Sequence, residues 1–353
     1  MSNIQKKTNQ KIVLKGMDRN ELREWCISQN QTEFRAEQLY EWMYQHGKTE
    51  ASQMTNLSKS FRDYLSEHVI LTTLQLEKDS ASTTEETHKY LFRTEDDHFI
   101  ETVSMVDDER HTVCISAQIG CSVDCAFCAT ASMGIIRNLK TGEIIDQLTF
   151  VRNNINTPIT NVVFMGMGEP FLNYERVLKA ADIFHDQKGF GLGTYRITIS
   201  TSGILPKIHQ YFEEKRKYKL AISLNSSNNE TRTQIMPLNK KWPIEELVKV
   251  ARENAQRHQK IMFEYVLLSG VNDSVTDALA LASLLKGVDC KLNIIPYNET
   301  DGQYKRPTTT KIEEFLKILA ENQKGFRILV RWSRGQDIEA GCGQLAVAQD
   351  GNG

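Results

Sequence analysis

The sequence predicts an α/β protein: repeated β-α units forming a parallel sheet, open or closed into a barrel, preceded by a small helical domain and a β extension. Three observations carry this. Short apolar runs alternate with amphipathic stretches from about residue 113 to residue 330. Polar, glycine-rich segments recur just after several of those runs. The chain before residue 70 shows helical periodicity alone.

Taken in order, Leu22-Trp25-Cys26 and Leu39-Trp42-Met43 put apolar residues on one helical face, and Asn56-Leu57-Ser58-Lys59 has the form of a helix start. Residues 1–72 are therefore assigned to a helical accessory domain. The polar stretch from Asp79 to Thr87 predicts a turn. Lys89-Tyr90-Leu91-Phe92 and His98-Phe99-Ile100-Glu101-Thr102-Val103 then predict paired strands, giving a β extension over 73–107.

A barrel over 108–346 follows, with strands around Val113-Cys114-Ile115, Val162-Val163-Phe164, Arg196 to Ile199, Leu220-Ala221-Ile222, Phe263 to Val266, Leu292 to Ile295 and Ile328-Leu329-Val330. Helices are expected over 142–153, 174–187, 244–258, 276–286 and 311–322, and 347–353 is a tail. Chemistry in such folds gathers beyond the carboxyl ends of the strands. Gly166-Met167-Gly168-Glu169-Pro170, Ser200-Thr201-Ser202-Gly203, Ser223-Leu224-Asn225-Ser226 and Pro296-Tyr297-Asn298 all fall there.

A chain of 353 residues that is 40% hydrophobic and 25% charged buries a substantial core. Lys and Arg total 43 against 45 Asp and Glu, which argues against a polybasic protein while leaving room for local basic patches. Met1 to Lys7 is polar and no apolar run is long enough to cross a bilayer, so a cytoplasmic location is expected. Seven cysteines, three of them within eight residues, suit metal binding better than a disulfide framework.

Those three are Cys121, Cys125 and Cys128, spaced C-x3-C-x2-C with no fourth Cys or His close behind. A structural zinc site wants four protein ligands, so it would need Cys114, Cys342 or His111 from a distance. An iron-sulfur cluster with three protein thiolates instead leaves one iron open to a small molecule. An open iron can chelate the amino and carboxylate groups of S-adenosylmethionine.

Cys121-x3-Cys125-x-Phe127-Cys128 resembles the signature of the radical S-adenosylmethionine superfamily, aromatic residue included. Gly120 to Thr130, Phe164 to Pro170 and Asp337-Ile338-Glu339-Ala340-Gly341-Cys342-Gly343-Gln344-Leu345 resemble, more narrowly, its RNA methyltransferases that modify carbon 2 of adenosine in 23S ribosomal RNA and some tRNAs. The resemblance runs from about residue 15 to residue 346. It implies a partial (β/α) barrel, a 4Fe-4S cluster on Cys121, Cys125 and Cys128, and two S-adenosylmethionine molecules per turnover. It also implies an electron donor such as flavodoxin or ferredoxin and no membrane partner.

Carbon 2 of adenine is electron-poor and does not attack a methyl sulfonium as a nucleophile. The resemblance implies that Cys342 takes a methyl group first, as a thiolate, and that the methyl is then activated by a radical and added to the ring. It assigns Cys114 to release the product through a disulfide and Glu101 to remove the ring proton. From pattern alone Cys114 reads as a small core residue and Glu101 as a solvated strand residue, whereas Cys342, between Gly341 and Gly343, reads as flexible and exposed. Cys26 and Cys290 read as structural.

Gly168, Glu169, Ser200, Ser223, Leu224, Asn225 and Asn298 match cofactor-contacting positions of that family, with Asn225 standing where a His is more usual and Gly341 where an Ala is common. Lys215-Arg216-Lys217, Arg232, Lys240-Lys241, Arg331 and Arg334 are candidate phosphate contacts, and Trp242 and Trp332 candidate stacking platforms. Two other readings remain: methylation at carbon 8 of the same ribosomal adenosine, and a non-catalytic, metal-stapled RNA-binding protein.

Overall fold

The computed structural model describes residues 11–254, 261–300 and 302–347. Three helices, α1 (Arg19–Ser28), α2 (Glu33–Tyr40) and α3 (Lys59–His68), form the amino-terminal part, with α2 running on into a single π turn. Asp18 caps α1 through a capping box with Glu21, and Ser58 caps α3 by accepting from the Phe61 amide. Strands β1 (Ile12–Val13) and β2 (Val69–Ile70) pair in parallel and tie the two ends of this part together.

Next come β3 (Leu74–Ala81), β4 (Thr87–Thr94), β5 (Phe99–Asp107) and β6 (Arg110–Cys114), an antiparallel meander. The polar turn is shorter than expected, because Asp79 to Ala81 belong to β3. As the sheet's edge, β3 keeps most residues exposed, so a polar sequence there costs no burial. A short hairpin, β7 (Gln118–Gly120) with β8 (Ile135–Asn138), follows, and α4 (Ala129–Ser132) lies between its strands.

The β-α units then run α5 (Thr141–Asn154), β9 (Asn161–Phe164), α6 (Tyr174–His185), β10 (Ile197–Thr201), α7 (Leu205–Glu213), β11 (Lys219–Ser223), α8 (Asn229–Ile235), α9 (Ile244–Asn254), β12 (Ile261–Leu267), α10 (Val275–Leu284), β13 (Cys290–Pro296), α11 (Thr309–Asn322) and β14 (Arg327–Val330). The sequence missed α7 and α8, one opening on Leu205-Pro206 and the other only seven residues long. The expected extension of α9 to His258 lies outside the described residues, as do Met1 to Lys7 and all but the first residue of the tail.

One sheet in the order β14-β13-β12-β11-β10-β9-β6-β5-β4-β3 collects ten strands, parallel from β6 through β14. Among the described residues no strand joins β14 to β6. Past β14 the chain turns back instead, and Arg334 Nη2 meets Asp107 Oδ1 at the end of β5 at 2.6 Å, so side chains bridge the open side of a partial barrel.

The helical part docks on α5. Lys15, fully buried, places its ammonium 3.1 Å from Asp146 and 3.0 Å from Thr149 Oγ1, and Gly16 (φ +97°) lies so close to the backbone of Gly142 that a Cβ would stand 2.5 Å from its amide nitrogen. No described helix is long and apolar enough to cross a membrane.

Candidate active site beyond the strand ends

The cysteine loop is pinched at its neck. At Gly120 (φ +74°) a Cβ would fall 1.8 Å from the Gly134 carbonyl oxygen, and the Cys121 amide donates to that same oxygen at 2.9 Å. Within the loop the Cys128 amide donates to the Cys125 carbonyl at 3.0 Å, and the Ala126 amide to Ile235 of α8 at 2.9 Å. Phe127 is buried with Ile235, Met236, Leu268 and Tyr297 in a small apolar cluster against which Cys125 and Cys128 pack. The aromatic residue before the last cysteine is thus the wall that fixes two thiols.

All three thiols are free and half-buried. Burial pushes Cys121 up to about 12 and Cys125 well above its usual value, and the neighbouring thiols and Glu169 push the same way. Thiolates held there need the positive charge of whatever they bind. Among the described residues no three His, Cys, Asp or Glu side chains converge on a single ion. A cubane cluster puts its own body between its ligands, so its thiolates stand farther apart than those of a lone metal. His111 is committed elsewhere, with Nε2 2.8 Å from Ser104 Oγ and Nδ1 2.8 Å from the Thr157 carbonyl. An all-sulfur set of three fits a cluster with one open iron.

Above this loop lie the strand-end segments. Gly168 (φ +94°) has no room for a side chain, since a Cβ would meet Gln118 Cβ at 2.4 Å. Glu169 is buried; its Oε2 accepts from the Ser202 amide and hydroxyl, both at 2.7 Å, and its Oε1 from the Phe171 amide at 2.9 Å, so Oε1 retains a lone pair for a further donor. Ser200 donates to Glu264 at 3.3 Å. Ser223 is half-buried and Leu224 fully buried. Asn225 takes a left-handed backbone (φ +55°), a conformation Asn tolerates, and spends Oδ1 on the Val266 amide at 2.9 Å. Asn298 donates to the Cys342 carbonyl at 3.0 Å, and its buried Oδ1 has no partner among the described residues.

Cys114 ends β6 on the barrel's inner face, and Cys342 comes over it on the segment after β14. This segment is held at many points: Asp337 accepts from the Thr83 amide and the Ser82 hydroxyl, both at 2.8 Å, Gly343 accepts from the Ala129 amide at 2.7 Å, and the Ala346 amide donates to Glu101 at 3.0 Å. Cys342 is therefore half-buried and fixed, which corrects the flexible, exposed setting expected of it. Its thiol is raised to about 12 by burial and then by Glu264, with Arg331 opposing, and the nearby Cys114 raises it further. Burial likewise raises Cys114 to about 11.

Glu101 is buried as well, 3.2 Å from Lys89 Nζ; burial raises its carboxyl while Lys89 and the Ala346 amide draw it down. The solvated strand position read from its pattern is thus corrected by the returning segment, which covers it. Sequence reasoning missed Glu264, 4% exposed, with Oε1 unpartnered among the described residues and its carboxyl raised by burial. Its signal was an acid facing inward in Phe263-Glu264-Tyr265-Val266, an otherwise apolar strand.

Arg232 is a second correction. It is 0% exposed and donates to the Leu224, Ser202 and Ser223 carbonyls and to Asn239 Oδ1 at 2.8 to 2.9 Å, so it staples β10 and β11 instead of meeting phosphate. Arg216 pairs with Asp182 and Glu214, and Arg334 with Asp107. Trp332 remains 53% exposed beside the Arg306 guanidinium, while Trp242 is partly buried under Lys241. Cys26 and Cys290 are buried in the core.

Residues 12–71 match the ribosomal RNA large subunit methyltransferase N-terminal domain, and residues 115–282 match the radical SAM superfamily. A dual-specificity RNA methyltransferase RlmN of Geotalea uraniireducens is 39% identical, over 95% of this chain and 97% of its own. The protein of the same name from Marinobacter nauticus is 40% identical over 95% and 93%. The crystal structure of a radical SAM methyltransferase from Sphaerobacter thermophilus superposes with a TM-score of 0.90 at 40% identity, covering 95% of this chain and 99% of that one.

Proposed function

The chain belongs to the RlmN family of radical S-adenosylmethionine RNA methyltransferases, and on that premise we propose that it methylates carbon 2 of an adenosine in 23S ribosomal RNA and in a subset of tRNAs. The observation that carries this reading is the return of the segment after β14 over the β extension, where the Ala346 amide donates to Glu101 and Cys342 comes close enough to Cys114 to feel its charge.

Cys121, Cys125 and Cys128 would hold a 4Fe-4S cluster, and the strand-end groups around Gly168, Glu169, Ser200 and Asn298 would hold S-adenosylmethionine. When bound, cluster and cofactor supply a reductive cleavage whose radical takes a hydrogen atom from a methyl group. Cys342 carries that methyl: its thiol loses a proton and its sulfur attacks the methyl carbon of a first cofactor molecule, releasing S-adenosylhomocysteine, so two are used per turnover. The methylene on Cys342 would join carbon 2, and the adduct would give up one electron, returned to the cluster, and the proton on that carbon, which Glu101 on the β extension accepts. Cys114, as a thiolate, then attacks the Cys342 sulfur. The carbon-sulfur bond breaks with its electron pair left on the methylene carbon, which takes up a proton to become the methyl group, and the disulfide left behind must be reduced before the next cycle. Flavodoxin or ferredoxin fits as electron donor, and the substrates put the enzyme in the cytoplasm.

The test is mass spectrometry of ribosomal RNA and tRNA from cells lacking and then regaining the gene. Methyl groups at carbon 2 that return with the gene support the reading. A product at carbon 8, or none, overturns it.

A further inference from the structure

The carboxyl ends of the strands carry the chemistry described so far, and the opposite end of the same inner face is basic. Arg110 opens β6, Arg196 immediately precedes β10, Lys219 opens β11 and Lys291 is the second residue of β13. Strand register places them on one face. Arg110 stands four residues below Cys114; Lys219 pairs in register with Thr198, two residues below Ser200; Lys291 lies two below Asn293, the register partner of Glu264. The feet of four strands thus look up the same cavity that holds the two cysteines.

These cations lack counter-charge. Arg196 spends one N–H on Asn161 Oδ1 at 3.2 Å, and among the described residues none of the four is in an ion pair. Asp107, which favours the charge of Arg110, is already taken up by Arg334. Partial burial draws Arg110 and Lys219 down, and like charges act next: Arg331 and Arg196 on Arg110; Lys291, Arg110 and Arg196 on Lys219. Arg331, whose charge acts on Arg110, also acts on Cys114 and Cys342, so one field links this foot to the thiols. Tyr195 is 63% exposed at the rim, with the Arg196 guanidinium 5.3 Å from its ring.

We infer that this foot is the RNA entrance: Arg110, Arg196, Lys219 and Lys291 hold the backbone phosphates on either side of the target adenosine, Tyr195 stacks on a neighbouring base, and the target base is inserted upward toward Cys342. Cations spread over four strands, with an aromatic platform beside them, suit a single strand better than one small anion. About 13 Å of strand separates Arg110 from Cys114, on the scale of one extended nucleotide. The inference rests on the RNA reading above and adds the side from which the RNA arrives.

The test is the affinity of the holoenzyme for an unmodified tRNA transcript, followed by fluorescence anisotropy across a salt series. Changing Arg196→Gln, Lys219→Gln and Lys291→Gln together is expected to weaken binding more than tenfold at low salt. It should also flatten the plot of log affinity against log salt by about three, one for each lost phosphate contact. Arg196→Lys with Lys219→Arg and Lys291→Arg should keep both, and so should Lys249→Gln with Lys286→Gln and Lys317→Gln on the outer helices. An unchanged slope in the first variant, or an equal loss in the charge-preserving one, overturns the inference. If the unaltered protein binds no RNA, the functional reading fails with it; if it binds and the triple variant binds equally, only the foot assignment fails.

Discussion

Asn298 Nδ2 donates to the Cys342 carbonyl at 3.0 Å, and the side chain fits there only because Gly341 has no Cβ: one built on it would lie 2.7 Å from Asn298 Cγ. The glycine that looked like a source of looseness is instead the condition for a clamp. Asn298→Ala leaves the Cys342 carbonyl unpaired, at about 1 kcal/mol of stability, and removes a buried acceptor from the cofactor region. Methyl loading of Cys342, read by mass spectrometry of the intact protein, should fall at least about tenfold (~1.4 kcal/mol). Unchanged loading would sink the clamp.

Glu101 offers a pH prediction. A base works ionised, and burial has moved this carboxyl above its usual 4.5. The RNA-methylation step should therefore decline, as pH falls, at a higher pH than an exposed carboxylate would give. Lys89 stabilises the ionised form, so Lys89→Met should raise the carboxyl further and move the acid limb to still higher pH. Single-turnover rates of enzyme already methylated on Cys342 report the limb, and a shift downward would contradict the assignment. Glu101→Gln should slow that step about a hundred- to ten-thousandfold.

The proposed mechanism gives Cys114 and Cys342 separable roles. With Cys114→Ala the joined enzyme and RNA cannot part, so a protein-RNA conjugate should accumulate and migrate as one band under denaturing conditions. Adding Cys342→Ala should abolish the band. If Cys114→Ala turns over normally and leaves no conjugate, release proceeds by another route.

Arg232 predicts a stability effect without a direct contact to substrate. Arg232→Met strands three backbone carbonyls and Asn239 Oδ1, which are then buried without a donor. The expected loss is about 3–5 kcal/mol in chemical denaturation. A loss under about 1 kcal/mol would mean that water replaces the guanidinium, leaving β10 and β11 unstapled without harm.

Much of the fold was legible because its signals are local. The period-2 and period-3.6 patterns gave the barrel strands and the long helices from α5 to α11. They failed where the pattern was short or the setting unusual: α7 and α8 are brief, and β3 is an edge strand whose exposed residues look like a turn. At the candidate site, the spacing of Cys121, Cys125 and Cys128 was legible for the same reason. Arg232 was misread because a cation in sequence carries no mark of burial.

By itself, then, the sequence determined the β-α order, the three-cysteine loop with its aromatic wall, and the family resemblance, since each resides in a stretch short enough to be read along the chain. Tertiary structure alone decided that Cys342 returns over Cys114, that Glu264 and Arg331 share their cavity, and that four cations gather at its foot. Those relations are set by strand register and by where the segment after β14 comes to rest. Neither leaves a periodic trace, because each joins residues that only the curved sheet and the returning segment bring together.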